Sequence, residues 1–282
     1  MCASVVLLVR YGELALKSAY VRRQLEDRLA ANVRDMFAAS SVECVVKVER
    51  GRLFVHADDE ASALRLLRRV FGIVSVSAAR ETTSELEGLT QEAVAYARDV
   101  LRPGTTFAIR PRRSGQHPYT SQQLAVRLGR AIQDVIEGLT VDLETPYREI
   151  HVEVRERRAY LFHAVVDGPG GLPLGSQGEV LAAVEDESEV VATWLVMRRG
   201  CRAGVAGSSA FLAVLRRWDP RLEALEMQPA DLTTLAAAKG IPLVASAKHL
   251  DQGQAIGVLV LRPLVGLADE EVRRLAAEIA AA

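Results

Sequence analysis

The chain has 282 residues, 49% of them hydrophobic and 25% charged, with a formal net charge of −1. This is ordinary globular composition, with material for two or three domains. Three cysteines without paired spacing and five scattered histidines exclude a disulfide framework and a clustered metal site, and no apolar run is long enough to span a bilayer.

The opening MCASVVLLVRYGE has neither a basic n-region nor a small-residue cleavage site, so no secretory leader and a cytoplasmic location are expected. Residues 4–9 read as a buried strand. After RYGELALKS, Ser18 is placed to cap an amphipathic helix over 19–37, with Val21, Leu25, Leu29, Val33 and Met36 on one face. Residues 42–48 and 53–57 read as a hairpin in which Gly51 supplies the positive φ. A helix over 60–70 and a strand over 73–79 complete a β-α-β-β-α-β order, the ferredoxin-like pattern. Residues 1–80 are also the basic end, with 13 Lys/Arg against 9 Asp/Glu. On their own, Lys17, Arg22 and Arg23 suit a solvated face as well as a phosphate contact.

Over 81–167 the pattern predicts a helix at 88–100 stopped by Pro103 and Gly104, then a strand at 105–110. Thr120 or Ser121 caps a helix over 122–136 that carries Leu124, Leu128, Ile132 and Val135 on its apolar face. VDLETP makes a turn into two alternating strands at 149–155 and 159–166. Arg110, Arg112 and Arg113 cluster at a strand end, where guanidinium forks hold phosphates bidentately. Tyr119 offers a stacking face and the capped helix start lies just beyond it. A basic loop that only keeps the surface soluble is the competing reading.

From 168 onward a glycine-rich linker enters a short strand at 180–184, a tight turn, and a helix with Val190, Val191, Trp194, Leu195 and Met197 at helical spacing. A strand at 203–206, helices at 210–218 and 231–239, a strand at 241–245 and a last helix at 269–281 follow, the alternation of a small parallel α/β sheet. In such a domain the first strand-turn-helix receives a phosphate. Here the turn reads Glu185-Asp186-Glu187-Ser188-Glu189, without glycine. Its carboxylates can cap the free amides, and each adds about 1 kcal/mol of repulsion toward a phosphate charge some ~5 Å away.

RYGELALKS is similar to the opening motif of the ThiI family, the 4-thiouridine synthetases of tRNA. GGLPLGSQGEVLA with WLVMRRG, and VLRPLVGLADEEVRRLAAEI, resemble two further landmarks of that family. FAIRPRRSGQHPYTSQQLAVRLGRAI, VDLETP and IHVEVRERRAYLF resemble a THUMP domain. The resemblance implies an α+β and α/β chain of three domains: ferredoxin-like (1–80), THUMP (81–167) and a small parallel-sheet α/β domain of PP-loop type (168–282). It implies tRNA as partner, held at the acceptor stem by Arg110, Arg112, Arg113, Tyr119, Thr120 and Ser121, with Lys17, Arg22 and Arg23 near the RNA backbone.

The family's PP-loop, SGGxDS, cradles the pyrophosphate of ATP, and 185–189 does not match it. The paired cysteines expected ahead of the helix at 231–239 are replaced by LEMQPADLTTLAAAK, and the TGE-type stretch that touches the nucleotide by ASAKHLDQGQAIG. The family's distal catalytic segment has no counterpart within the 282 residues. The expectation is a degenerate PP-loop domain in a tRNA-binding pseudoenzyme, with no catalytic residue, metal or cofactor of its own. Two alternatives stay open. One is a divergent but active tRNA sulfurtransferase that uses ATP with Mg²⁺ through backbone groups at Ala183 and Val184. The other is a subunit that presents tRNA to a separate catalytic chain. Homodimerisation is also left open.

Overall fold

The structure, a computed structural model, describes residues 5–12, 18–49, 51–228, 231–244 and 258–282. In chain order it begins β1 (Val5–Tyr11), α1 (Ala19–Ala39), β2 (Val45–Glu49), β3 (Arg52–Ala57), α2 (Glu60–Leu67) and β4 (Ile73–Thr83), the expected β-α-β-β-α-β run. There follow α3 (Leu86–Val100), β5 (Thr106–Ser114), α4 (Ser121–Gln133), β6 (Thr140–Val141), β7 (Arg148–Arg155), β8 (Arg158–Phe162) and β9 (Val166–Asp167). The last part holds β10 (Glu179–Val184), α5 (Glu187–Arg198), β11 (Arg202–Gly207), α6 (Ser209–Arg216), β12 (Glu223–Ala224), α7 (Leu232–Lys239), β13 (Leu243–Val244), β14 (Val260–Leu261) and α8 (Asp269–Ala281). Two compact units result, one of residues 77–165 with the chain up to Leu8, the other of 9–76 with 166–282. The division falls inside β1 and β4.

In the first unit, residues 80–83 of β4 run antiparallel to β8, β8 antiparallel to β7, and β7 parallel to β5, whose far side takes β6. The pairing with β8 explains why β4 outlasts the strand expected at 73–79: a non-local ladder recruits Arg80 to Thr83. One face of this sheet buries Phe107, Ile109, Ile150, Val152 and Leu161 against Leu89 of α3 and Leu124, Leu128 and Ile132 of α4. The fourfold spacing of the α4 residues puts them on one stripe. Val135, expected on that stripe, lies past the helix end and is 44% exposed.

In the second unit, β2 and β3 form a hairpin in register Val46↔Val55, with Gly51 at φ 81°. α1 buries Leu25, Leu29, Val33, Met36 and Phe37, while Val21 is exposed, so the apolar stripe starts one turn later than its spacing implies. After β9 the linker is stitched down by the amides of Gly168 and Gly170, which donate to Val74 O (2.9 Å) and Ile73 O (2.8 Å). A Cβ on Gly171 would sit 2.0 Å from Arg198 O, so only glycine fits there.

The C-terminal sheet is wholly parallel in the order β12-β11-β10-β13-β14. Parallel strands need covering helices on their crossovers, and the buried runs of β10 and β11 match that requirement. Val180, Val184, Val191, Met197, Val205 and Leu215 form its core. Phe71 joins the same core: its ring stacks on Trp218 (centroids 5.4 Å) and meets Trp194 edge-on (5.5 Å). Asn32 Nδ2 donates to Leu174 O at 3.1 Å, and Arg221 Nη2 donates to Asp35 Oδ1 at 2.5 Å.

Candidate nucleic-acid interface and the β10–α5 turn

β5 delivers the arginines. Alternation along a strand sends Arg110 and Arg112 to one face and Arg113 to the other. Arg110 is committed within the fold: Nε donates to Glu149 Oε1 (2.7 Å) and Nη2 to Leu143 O (2.8 Å). Glu149 also lies 3.5 Å from His151 Nε2, and His151 stacks on Phe162. Arg113 folds toward the helix, where Nε donates to Ser121 Oγ (3.2 Å) and its guanidinium lies 5.8 Å from the Tyr119 ring centre. Arg112 is exposed and has no ionic or hydrogen-bonded partner among the described residues. Of the three, Arg112 is the one whose fork is open to an external phosphate.

Tyr119 corrects its sequence reading as a stacking platform. It is only 6% exposed, its hydroxyl donates to Ser84 O (2.5 Å), and His117 and Arg113 cover its ring. Burial also pushes its phenol upward, with Arg113 opposing. Tyr119 therefore fixes the loop. The aromatic that does lie open in this unit is Tyr147, 52% exposed with Arg148 over its ring at 5.6 Å. It follows a turn in which Asp142 Oδ1 accepts the amides of Glu144 and Thr145. Those two bonds, Thr145's first, hold the Asp142 carboxyl below the usual range.

Thr120 is the N-cap of α4 in a full capping box: its Oγ1 accepts Gln123 N–H (3.1 Å) and Gln123 Oε1 accepts Thr120 N–H (2.8 Å). The amides of Ser121 and Gln122 remain at the helix mouth. Down the same face run Val126, Arg127, Ala131 and Arg130, which with Thr120 and Gln123 line an open groove of about 720 Å³. Arg127 and Arg130 are exposed and carry no acidic partner among the described residues. Sequence reasoning missed them, although their spacing of three from each other and of four from Gln123 sets all of them on one helical face.

Arg22 and Arg23 belong to the second unit. Arg22 Nε lies 3.9 Å from Glu26 Oε1, an oxygen that also accepts the Tyr11 hydroxyl, while Arg23 is exposed. Burial and Glu26 together push the Tyr11 phenol well above its ordinary value. Lys17 lies outside the described residues, as does the whole of ASAKHLDQGQAIG.

At the other site, β10 ends in the parallel ladder with Ala183 opposite Ala206 and Val184 opposite Gly207. Val184 is fully buried and its carbonyl accepts Ser208 N–H at 3.2 Å. The following turn is closed by its own acids. Asp186 caps α5, its Oδ1 accepting Glu189 N–H (2.9 Å) and the Ser188 hydroxyl (2.7 Å). Glu189 Oε2 reaches back to accept Glu185 N–H (2.6 Å) and Asp186 N–H (3.2 Å). A carboxylate thus sits on two backbone amides where strand meets helix, a position in which backbone donors otherwise collect anions. Burial raises the Glu189 carboxyl above its ordinary range; the amide bonds oppose this and the neighbouring carboxylates of Asp186 and Glu185 add to it. Among the described residues no three His, Cys, Asp or Glu side chains are grouped to hold a metal ion, and no helix is long and apolar enough to cross a membrane.

These two units define a class, proteins in which a ferredoxin-like domain precedes a THUMP domain and a parallel α/β sheet. Residues 6–77 match the ThiI ferredoxin-like domain and residues 83–164 the THUMP domain. The chain belongs to the ThiI family. It is 39% identical over 203 residues to the "Probable tRNA sulfurtransferase" of Methanothermobacter thermautotrophicus, covering 70% of this chain and 51% of that relative. It is 37% identical over 205 residues to the tRNA sulfurtransferase of Pyrobaculum aerophilum, covering 71% of this chain and 41% of that one. The chain thus spans about half the length or less of these curated relatives. Among solved structures, PH1313 from Pyrococcus horikoshii matches 98% of this chain and 99% of its own at a TM-score of 0.83 and 25% identity. A 4-thiouridine synthetase in an RNA complex with bound ATP shares the fold over 98% of this chain and 85% of its own, at a TM-score of 0.76 and 21% identity.

Proposed function

We infer that this chain is a cytoplasmic tRNA-binding member of the ThiI family that does not adenylate uridine by itself. The division into domains at 1–80, 81–167 and 168–282 is part of this reading. The THUMP match and the naming of the relatives as tRNA sulfurtransferases support tRNA as the ligand. Arg112, the Ser121 and Gln122 amides, and Arg127 with Arg130 supply the phosphate contacts, with Arg23 contributing from the ferredoxin-like domain. Contacts of this kind position a duplex end by charge and shape, without reading bases.

The observation that carries the second half is the Glu189 carboxylate on the amides of Glu185 and Asp186. An ATP diphosphate at this turn would have to displace that carboxylate while facing Asp186, Glu185 and Glu187. The residues present do not fit the nucleotide. The backbone at Ala183 and Val184 offers little in exchange, since it is engaged in the ladder to β11. Equilibrium dialysis of labelled ATP against the purified chain tests this, with unmodified tRNA present and absent. Retention of tRNA without retention of ATP supports the reading.

A second reading rests on the identity to tRNA sulfurtransferases over 69–71% of the chain, namely a divergent but active enzyme using ATP with Mg²⁺. A third, in which the chain presents tRNA to a catalytic partner, predicts activity only on mixing the two.

A further inference from the structure

We propose that a cleft between the end of α2 and the end of α8 binds a small phosphate ester that also carries hydroxyl or amino donors, the chemistry of a sugar phosphate. The cleft lies in the second unit, has a volume of about 650 Å³ and is lined by Arg65, Arg68 and Arg69. Trp194 and Trp218 also line it, and Asp167 and Glu278 complete its polar rim. That volume falls in the range of small-molecule sites. The inference stands apart from the tRNA reading, because none of these residues belongs to the arginine strand or to α4.

Three arginines, Arg65, Arg68 and Arg69, line the cleft, and Arg217 stands near Arg69. Arg65 donates to Ser62 Oγ (2.8 Å), and neither Arg68 nor Arg69 has an ionic partner among the described residues. Arg69 is half-buried, and Arg217 and Arg65 stand close enough that their like charges, after burial itself, lower its pKa. Guanidinium groups gathered in this way present several forks to one anion, which suits a dianionic phosphate monoester. The Trp194 indole nitrogen is a further donor, buried and without an acceptor.

Asp167 and Glu278 decide the rest of the ligand. Asp167 has no ionic partner among the described residues, whereas Glu278 Oε1 lies 3.8 Å from Arg274 Nε on its own helix, so Asp167 is the freer acceptor for a hydroxyl or amino group. Two carboxylates on the rim also repel a continuous polyanion, which favours a compact phosphate ester over a strand of RNA. The walls are already fixed. Trp218 Nε1 donates to Ile279 O (3.2 Å), Arg217 Nη1 to Ala282 O (3.4 Å), and Phe71 packs against both indoles. Such a site needs little reorganisation to accept its ligand.

The chain has two tryptophans and both line the cleft, so intrinsic fluorescence reports directly on its occupation. Ribose 5-phosphate titrated into the full chain at low ionic strength is expected to give a saturable fluorescence change. Inorganic phosphate should bind more weakly, ribose alone not measurably, and Arg68→Ala/Arg69→Ala should weaken the sugar phosphate by about tenfold or more. Arg68→Glu, at an exposed position, serves should the double variant fail to fold. The proposal is overturned by no saturable change, by undiminished binding by Arg68→Glu, or by inorganic phosphate binding as tightly as the ester. A response to RNA alone also overturns it. tRNA retention by Arg68→Glu is expected to stay at the wild-type level, which separates this test from that of tRNA binding.

Discussion

Glu189 Oε2 accepts the backbone amide of Glu185 at 2.6 Å across the β10–α5 turn. A side chain one turn into a helix thereby closes the loop that precedes it, and Asp186 closes the helix in return. The geometry is a reciprocal cap, and it uses up donors that a phosphate would need.

Removing either cap residue is expected to cost about 1 kcal/mol. Asp186→Ala and Glu189→Ala should each lower the urea midpoint by a corresponding amount. Because the two residues share one box, the double variant should lose less than the sum of the single losses. Fully additive losses would show that the caps act independently.

At the arginine strand, Arg112→Ala is expected to weaken tRNA binding and to lower the slope of log affinity against log salt by about 1. Its melting temperature should stay at the wild-type value, since Arg112 has no partner among the described residues. Arg110→Ala should behave differently. It removes the partner of Glu149 and Leu143 O, and because the Arg110 and Glu149 side chains are each about a third exposed the loss should be only ~0.2–1 kcal/mol. Filter binding over a salt series, with thermal melts alongside, separates the two residues.

How much of this was legible in the sequence differs between the two sites. The cap was readable, because Asp and Glu three residues apart before an apolar helical run is a local signal. The fate of the arginines was not. Composition placed Arg110, Arg112 and Arg113 together, but only the register of β5 on β7 shows that Glu149 takes one of them. Tyr119 looked like a free ring since nothing near it in sequence reveals Ser84 O, thirty-five residues away. β6 and β12, at two residues each, carry too short a pattern to be seen. The ferredoxin-like run was clear throughout, as each of its helices follows the 3.6-residue period.

Phe71 is fully buried between two indoles, so Phe71→Ala should cost about 3–5 kcal/mol. The loss should be accompanied by a red shift in tryptophan emission before global unfolding, as water reaches Trp194 and Trp218. A stable variant with unshifted emission would contradict the packing described.

Asp219 is 1% exposed and lies 3.5 Å from Arg202, and its Oδ1 accepts Arg221 N–H. Burial raises its carboxyl above the usual range despite the pull of Arg202. A carboxyl raised in the folded state binds its proton there before the unfolded chain does. Its favourable contribution is complete below the unfolded value of about 3.9 and is lost as pH rises through the folded value. Asp219→Asn removes this dependence. The stability of the wild type relative to Asp219→Asn should therefore increase as pH falls from 7 toward 4, as followed by urea midpoints. A difference that stays flat or shrinks over that range would contradict the shift.

The most direct test of the central reading is product formation. Purified chain is incubated with unmodified tRNA, ATP, Mg²⁺ and a sulfur donor, and the RNA is digested and its nucleosides separated. The account predicts tRNA bound saturably, no 4-thiouridine and no AMP released. Thiolated tRNA with matching AMP would contradict it.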